Sequence, residues 1–261
     1  GKTWWRGTER GCPSRSLPPA SNVVGMKKTI DEHARRFSAA AASYDDDQDS
    51  PEYLACADLV VEHAAPDADD VVLDLGTGTG AIALALAPAA GRVVGRDISP
   101  GMLEAARSKA AEAGVDNVAF GEGRFRAPNY DGPVATVTSN FAMHHLSDDE
   151  KRAAIRTIAG LNPRRFVLGD VMFFGDPDPT EPFYDPAVDD PATVGTLADA
   201  LTDEGFALVA VERVHDQVGV LVADRFGDGS ERVAVAGVGE GDPVGGPDAG
   251  GDGGPTPGDG E

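Results

Sequence analysis

Val71-Val72-Leu73-Asp74-Leu75-Gly76-Thr77-Gly78-Thr79-Gly80, followed by the apolar run Ala81 to Ala87, decides how this chain folds. A short β-branched and aliphatic run closing on an acid reads as a buried strand. The glycines read as a tight turn, and the Ala/Leu-rich stretch as the start of a helix. Glycine lets the backbone turn with positive φ and lets a ligand lie against the main chain. The first N–H groups of the following helix lack intrahelical partners and so offer donors to that ligand.

Read loosely, Gly76, Gly78 and Ala81 satisfy the dinucleotide fingerprint, which permits Ala at its third place. Asp74 argues for another ligand. A carboxylate before the loop repels a pyrophosphate but suits a molecule carrying an ammonium and a sulfonium. Gly91-Arg92-Val93-Val94-Gly95-Arg96-Asp97 is a second short strand ending in an acid, 23 positions after Asp74. At that spacing an acid accepts from ribose hydroxyls. Ser99-Pro100 then caps a helix whose buried face is Met102, Leu103, Ala106 and Ala110.

Asp74 to Gly80 resembles motif I, and Val93 to Arg107 motif II, of the class I S-adenosylmethionine-dependent methyltransferases. The resemblance implies an α/β, Rossmann-like fold. Its sheet is seven-stranded, twisted and mostly parallel, with one antiparallel strand and helices on both faces. S-adenosylmethionine is the implied cofactor. The implied contacts are Tyr44, Asp74, Gly76, Thr77, Gly78 and Gly80 from the first part of the domain. Asp97, Ile98, Met102, Arg124, Phe125, Asn140 and Phe141 complete the set.

Outward from that centre, Lys27 to Ala42 carries Ile30, Ala34, Phe37 and Ala41 at helical spacing and leads to Tyr44-Asp45. This segment resembles the lid helix of small-molecule methyltransferases. Ser50-Pro51 opens another helix, which Pro66 closes. Asn117 to Phe120 is a third strand. Family members usually follow it with Gly-Asp, but Gly123-Arg124-Phe125 stands here. Arg only donates hydrogen bonds, which leaves the adenine contact open between Arg124 stacking and Phe125.

Val134 to Ser139 is a fourth strand running into Asn140-Phe141-Ala142-Met143-His144-His145-Leu146, where the resemblance places methyl transfer. Ser147 with Glu150 forms a capping box before Ala154, Ile155 and Ile158. The adjacent histidines are expected to point in different directions without metal-ligand spacing, so no metal is expected. A fifth strand, Arg165 to Phe174, contains Asp170. The proline-rich loop Gly175 to Pro191 carries Phe183 and Tyr184 and reads as a substrate wall or a dimer contact. Helix Ala192 to Leu201 ends at Glu204-Gly205, and Phe206 to Val214 pairs with Val218 to Ala223 as a hairpin. That hairpin resembles the antiparallel edge of the methyltransferase sheet.

The length of 261 residues suits one domain with tails. Its expected span is residues 27–224. Residues 1–25, net basic and holding both tryptophans, read as a non-native or disordered extension. Residues 225–261, rich in Gly, Asp and Pro, read as a disordered acidic tail. The net charge of −22, with few lysines, resembles halophile proteins and disfavours nucleic acid and anionic membranes as partners. No apolar run reaches the roughly 18 residues of a membrane helix. Cys12 and Cys56 fit neither a disulfide framework nor a metal motif, and a cytoplasmic setting is expected.

The expected function is methyl transfer from S-adenosylmethionine to a small molecule by in-line displacement. His144, His145 and Tyr184 are the candidates for a base. An RNA methyltransferase, a NAD(P)-binding oxidoreductase and a non-catalytic cofactor-binding domain are the alternatives. The oligomeric state is left open.

Overall fold

The computed structural model describes residues 29–45, 48, 50–176 and 182–225. The chain divides into two units, residues 1–226 and 227–261, the second outside the described residues. Both expected tails lie outside them too, except Arg225.

Strands β1 (Val71–Leu75), β2 (Arg92–Asp97), β3 (Val118–Glu122), β4 (Thr136–Asn140) and β5 (Arg165–Phe173) pair in parallel. A two-residue strand β6 (Ala192–Thr193) pairs with β5, and β7 (Ala207–His215) and β8 (Val218–Asp224) form the hairpin. The main path runs β3-β2-β1-β4-β5-β8-β7. Only β8 runs against the others, antiparallel to both β5 and β7. This is the expected mostly parallel sheet of seven strands with one reversed, and β6 is an addition to it.

Both faces of the sheet are apolar because both are covered, as parallel sheets require. Along β1 successive side chains face opposite layers. Leu73 and Leu75 join Ile155, Ile158, Phe166 and Leu201 on one side. Val72 joins Val60, Ile82, Leu86 and Val93 on the other. The covering helices are α1 (Ile30–Ala40), α2 (Pro51–Ala64), α3 (Ala81–Leu86), α4 (Pro100–Ala113), α5 (Asp148–Gly160) and α6 (Val194–Asp203). Ser50, Ser99 and Ser147 cap α2, α4 and α5 through their hydroxyls, as their positions in the sequence foretold.

Most strand ends shift by one or two residues, and three further boundaries differ from expectation. Helix α1 starts at Ile30, because Thr29 and Glu32 close a reciprocal capping box. Ala192 and Thr193 are not helical. They pair with Met172 and Phe173, and the Thr193 side chain caps α6. Arg225 belongs to the domain, since its guanidinium donates to the carbonyls of Ala159 (2.7 Å) and Glu204 (2.6 Å).

Sheet order reverses between β1 and β4, where β1 has β2 on one side and β4 on the other. Ligands of open α/β sheets bind in the crevice outside the carboxyl ends of the strands at such a point. The glycine loop after β1 and the Asn140-Phe141 elbow after β4 meet there.

Candidate functional site

The loop after β1 is held down by the neighbouring strand, as Gly76 N–H and Thr77 N–H both donate to the Arg96 carbonyl (2.8 and 3.0 Å). Gly78 has φ of +52°, and a Cβ built on it would meet nothing within 4 Å. The loop backbone is therefore open on the side where a ligand would lie. A cavity of about 320 Å³ begins here, bordered by Gly76, Gly78, Asp97 and Met102. That volume falls at the small end of the roughly 300–1,000 Å³ usual for small-ligand pockets. Ile30, His33 and Phe37 of α1 border it as well, together with Phe125, Phe141 and Leu146. Ile30, His33 and Phe37 share one face by helical spacing, and α1 presents that face to the crevice.

Asp97 is 8% exposed, and its two oxygens accept from Ser99 N–H (2.8 Å) and Gly78 N–H (2.9 Å). Burial raises its pKa, against the pull of those backbone donors. Each oxygen keeps a lone pair for a ligand hydroxyl. Asp74 is deeper, 2% exposed, and accepts from the hydroxyls of Thr77 (2.6 Å) and Thr138 (2.8 Å). Burial pushes it up to about 6, the two hydroxyls only partly offsetting that. A cation beside it would recover the cost of ionising it. Asp74, Thr77 and Asn140 line a smaller recess that shares Tyr44, Gly76 and Gly78 with the main cavity. Burial, with Tyr53 and Asp97 nearby, drives the Tyr44 phenol above its usual value, so its hydroxyl stays a donor.

Ile98, Arg124 and Phe125 of the expected set also border the cavity. Gly80 does not. It caps α3 with φ of +87°, and a Cβ there would press on Phe120 and Ala106. Phe141 has φ of +49°, a left-handed conformation that costs an aromatic residue about 1–3 kcal/mol. Its ring stands against Tyr53 (4.9 Å) and Phe183 (6.3 Å) and forms the cavity wall.

The base candidates separate. His145 borders the cavity, His144 is buried beside it, and Tyr184 packs on Phe173 (5.7 Å) outside it. The two histidines do not point apart. They lie on a 3₁₀ turn (Met143–His145) with ring centroids 4.0 Å apart. A strand and a loop hold them there. Asp170 of β5 meets His144 Nδ1 (2.5 Å) and accepts from the backbone N–H groups of Met143 and His144. Asp189 meets His145 Nδ1 at 2.6 Å. Burial and the neighbouring His144 lower the His145 pKa, Asp189 opposing them.

Sequence reading left Asp170 and Asp189 without a role, since each meets its histidine across a long stretch of chain. It also passed over His33, although the Ile30/His33/Phe37 spacing carried that signal. Arg126 and Glu150, paired at 3.3 Å on the cavity rim, were equally invisible because no local pattern links them.

Residues 72–162 match the family described as Methyltransf_25, a methyltransferase domain. The uncharacterised methyltransferase YcgJ of Bacillus subtilis is 35% identical over 122 residues, covering 46% of this chain and 47% of YcgJ. The chain thus spans about half the length of that relative. The solved structure of YcgJ superposes with a TM-score of 0.54 at 21% identity, over 66% of this chain and 99% of the other. An arsenite methyltransferase of Halobacterium salinarum is 31% identical over 157 residues, covering 54% of this chain and 38% of its own length. The [4+2]-cyclase SpnF shares the fold with a TM-score of 0.64 at 16% identity, over 76% and 97% of the two chains. Strand order, an open glycine loop backed by two buried acids, and the domain match lead to one reading: residues 72–162 are a methyltransferase domain, built on the fold of the class I S-adenosylmethionine-dependent methyltransferases, whose cofactor is S-adenosylmethionine.

Proposed function

We propose that the chain is an S-adenosylmethionine-dependent methyltransferase that passes the methyl group to a small-molecule acceptor by in-line displacement. The observation that carries this reading is the cavity running from the glycine loop to the aromatic wall under α1, with Asp97 at one end and Phe37, Phe141 and Leu146 at the other. Activity does not follow from fold alone, as the cyclase on the same fold illustrates.

The residues present fit the cofactor. Asp97 offers acceptors for a ribose diol, Asp74 an anion for the amino acid ammonium, and Gly78 an open backbone. Met102, Ile98 and Phe125 form apolar walls for the adenine, a role their place on the cavity supports. Bound there, the cofactor supplies a methyl carbon activated by its sulfonium. The chain's own part is positioning and exclusion of water. Phe37 and Phe141 shield the reacting end, and charge spread over two partners in the transition state needs no oppositely charged residue there. An acceptor that carries a proton needs that proton removed. Of the three candidates, only His145 borders the cavity.

A compact acceptor fits better than RNA. The cavity volume is small, α1 covers it, and the net charge of −22 repels a phosphate backbone. Arsenite is disfavoured at the described cavity as well. Among the described residues Cys56 is the one cysteine. It is buried, and burial raises its thiol pKa, so it offers no thiolate to a soft arsenic centre. The acidic surface supports a halophilic cytoplasmic setting, in which molar salt screens the self-repulsion.

Incubation with methyl-labelled cofactor tests the reading, using total RNA and a small-metabolite extract as separate acceptors. Label is expected in the organic-soluble fraction of the extract. Label confined to RNA would overturn the small-molecule assignment.

A further inference from the structure

His144, His145 and Asp189 each offer a ligand atom, and the three atoms lie within 4.8 Å of one another. We infer that these three side chains form a binding site for a divalent first-row transition ion such as zinc at the acceptor end of the cavity. Two imidazoles and one carboxylate suit such an ion, and three protein ligands leave positions open for an exogenous molecule. His145 borders the cavity, so an acceptor's hydroxyl or carboxylate oxygen can reach those positions.

The surroundings match what such sites require. A metal-bound imidazole usually donates its other N–H to a carboxylate, which fixes ring and tautomer. Asp170 does this to His144 Nδ1 at 2.5 Å and is itself held by the backbone N–H groups of Met143, His144 and Val171. That leaves His144 Nε2 as the ligand atom. Asp189 Oδ1 and His145 Nδ1 stand 2.6 Å apart. Two atoms bound to one tetrahedral ion at about 2.0–2.2 Å are separated by roughly 3.4 Å. The pair needs to open by about 0.8 Å, within reach of a side-chain rotation, and release its shared proton.

The loop carrying Asp189 is fastened by contacts independent of the cluster. Asp190 N–H donates to the His144 carbonyl (2.7 Å), and Lys151 Nζ donates to the carbonyls of both Leu146 and Asp190. The ligand set is therefore arranged before any ion arrives. With an ion in place, His145 holds it instead of taking a proton. Held there by His144, His145 and Asp189, an ion would supply Lewis acidity that favours ionisation of an acceptor hydroxyl, which would serve the reaction proposed above without being required by it.

The test uses the full chain, stripped with chelator and titrated with zinc by calorimetry in molar KCl and excess Mg²⁺, which occupies the acidic surface. Cobalt(II) visible absorption provides a second readout. About one zinc per chain is expected. His144→Gln and Asp189→Asn should each weaken binding at least about tenfold, given that even loss of a carboxylate that only orients a metal-bound imidazole typically costs roughly 10–100-fold. His63→Gln, on α2 away from the cluster, should bind as the parent does. If His144→Gln does not fold, Asp189→Asn decides, because Asp189 lies on a loop outside the sheet. Zinc binding unchanged by Asp189→Asn, or no zinc held by the parent, would overturn the site. S-adenosylhomocysteine is titrated into the same samples. Its failure to bind would count against the function proposed above and leave the ion site standing.

Discussion

Asp97 holds the glycine loop and the start of α4 together while bordering the cavity. Asp97→Ala should weaken S-adenosylhomocysteine binding by about 2–3 kcal/mol, the cost of a charge-assisted acceptor lost to a buried ligand. Calorimetry showing unchanged affinity would remove its ribose role. Asp74 makes a pH-dependent claim. Its folded pKa of about 6 lies above the ordinary 3.8, so its contribution to stability is complete below the latter and lost as pH rises through about 6. A bound ammonium favours the ionised form. Affinity for S-adenosylhomocysteine should therefore rise about tenfold from pH 5 to pH 7 and stay flat in Asp74→Asn. A parent profile as flat as the variant's would separate Asp74 from the ligand. Both acids were legible in the sequence because each ends a short apolar strand. Asp170 and Asp189 were not, since their partners lie 26 and 44 positions away in the chain.

Helix α1 meets the site at two places, the His145 ring, which lies 5.3 Å from both His33 and Phe37, and a close contact with α4. Ser38 Oγ lies 2.8 Å from Ser99 Oγ and accepts from Gly101 N–H, and a Cβ on Gly101 would stand 2.8 Å from the Ser38 Cα. Gly101→Ala should push the lid outward and cost about 1–3 kcal/mol, as overpacking does. It should weaken cofactor binding and leave the sheet intact, which melting and calorimetry together can separate. At the other end of the domain, Arg225 closes α5 and α6 by donating to Ala159 and Glu204 and lies over the Phe206 ring (5.0 Å). Arg225→Ala should lower stability by about 1–3 kcal/mol, read as a fall in urea midpoint. Elements themselves were legible where local chemistry set them, as at Ser50, Ser99 and Ser147. The β6 pair was hidden, because Ala192 and Thr193 are extended only through contact with β5. Arg225 was hidden by the acidic composition that follows it.

At the scale of the whole molecule the surface charge of −22 is the dominant property. Screening relieves repulsion more in the compact state than in the expanded one, with a Debye length of about 3 Å in molar salt. The melting temperature should therefore climb between low and molar KCl, and a flat curve would remove the halophile reading. The class of sheet, mostly parallel with one reversed strand, was readable as a whole because two motifs and a terminal hairpin, each local, belong together in one topology. The assembled crevice was not, as it takes α1, the glycine loop and the β4 elbow at once.

The most direct measurement is calorimetric titration of the full chain with S-adenosylhomocysteine and, separately, NAD, in molar KCl. One S-adenosylhomocysteine per chain is expected, weakened by Asp97→Ala, with no heat from NAD. Saturable binding of NAD with none of S-adenosylhomocysteine would contradict the cofactor assignment on which the site rests.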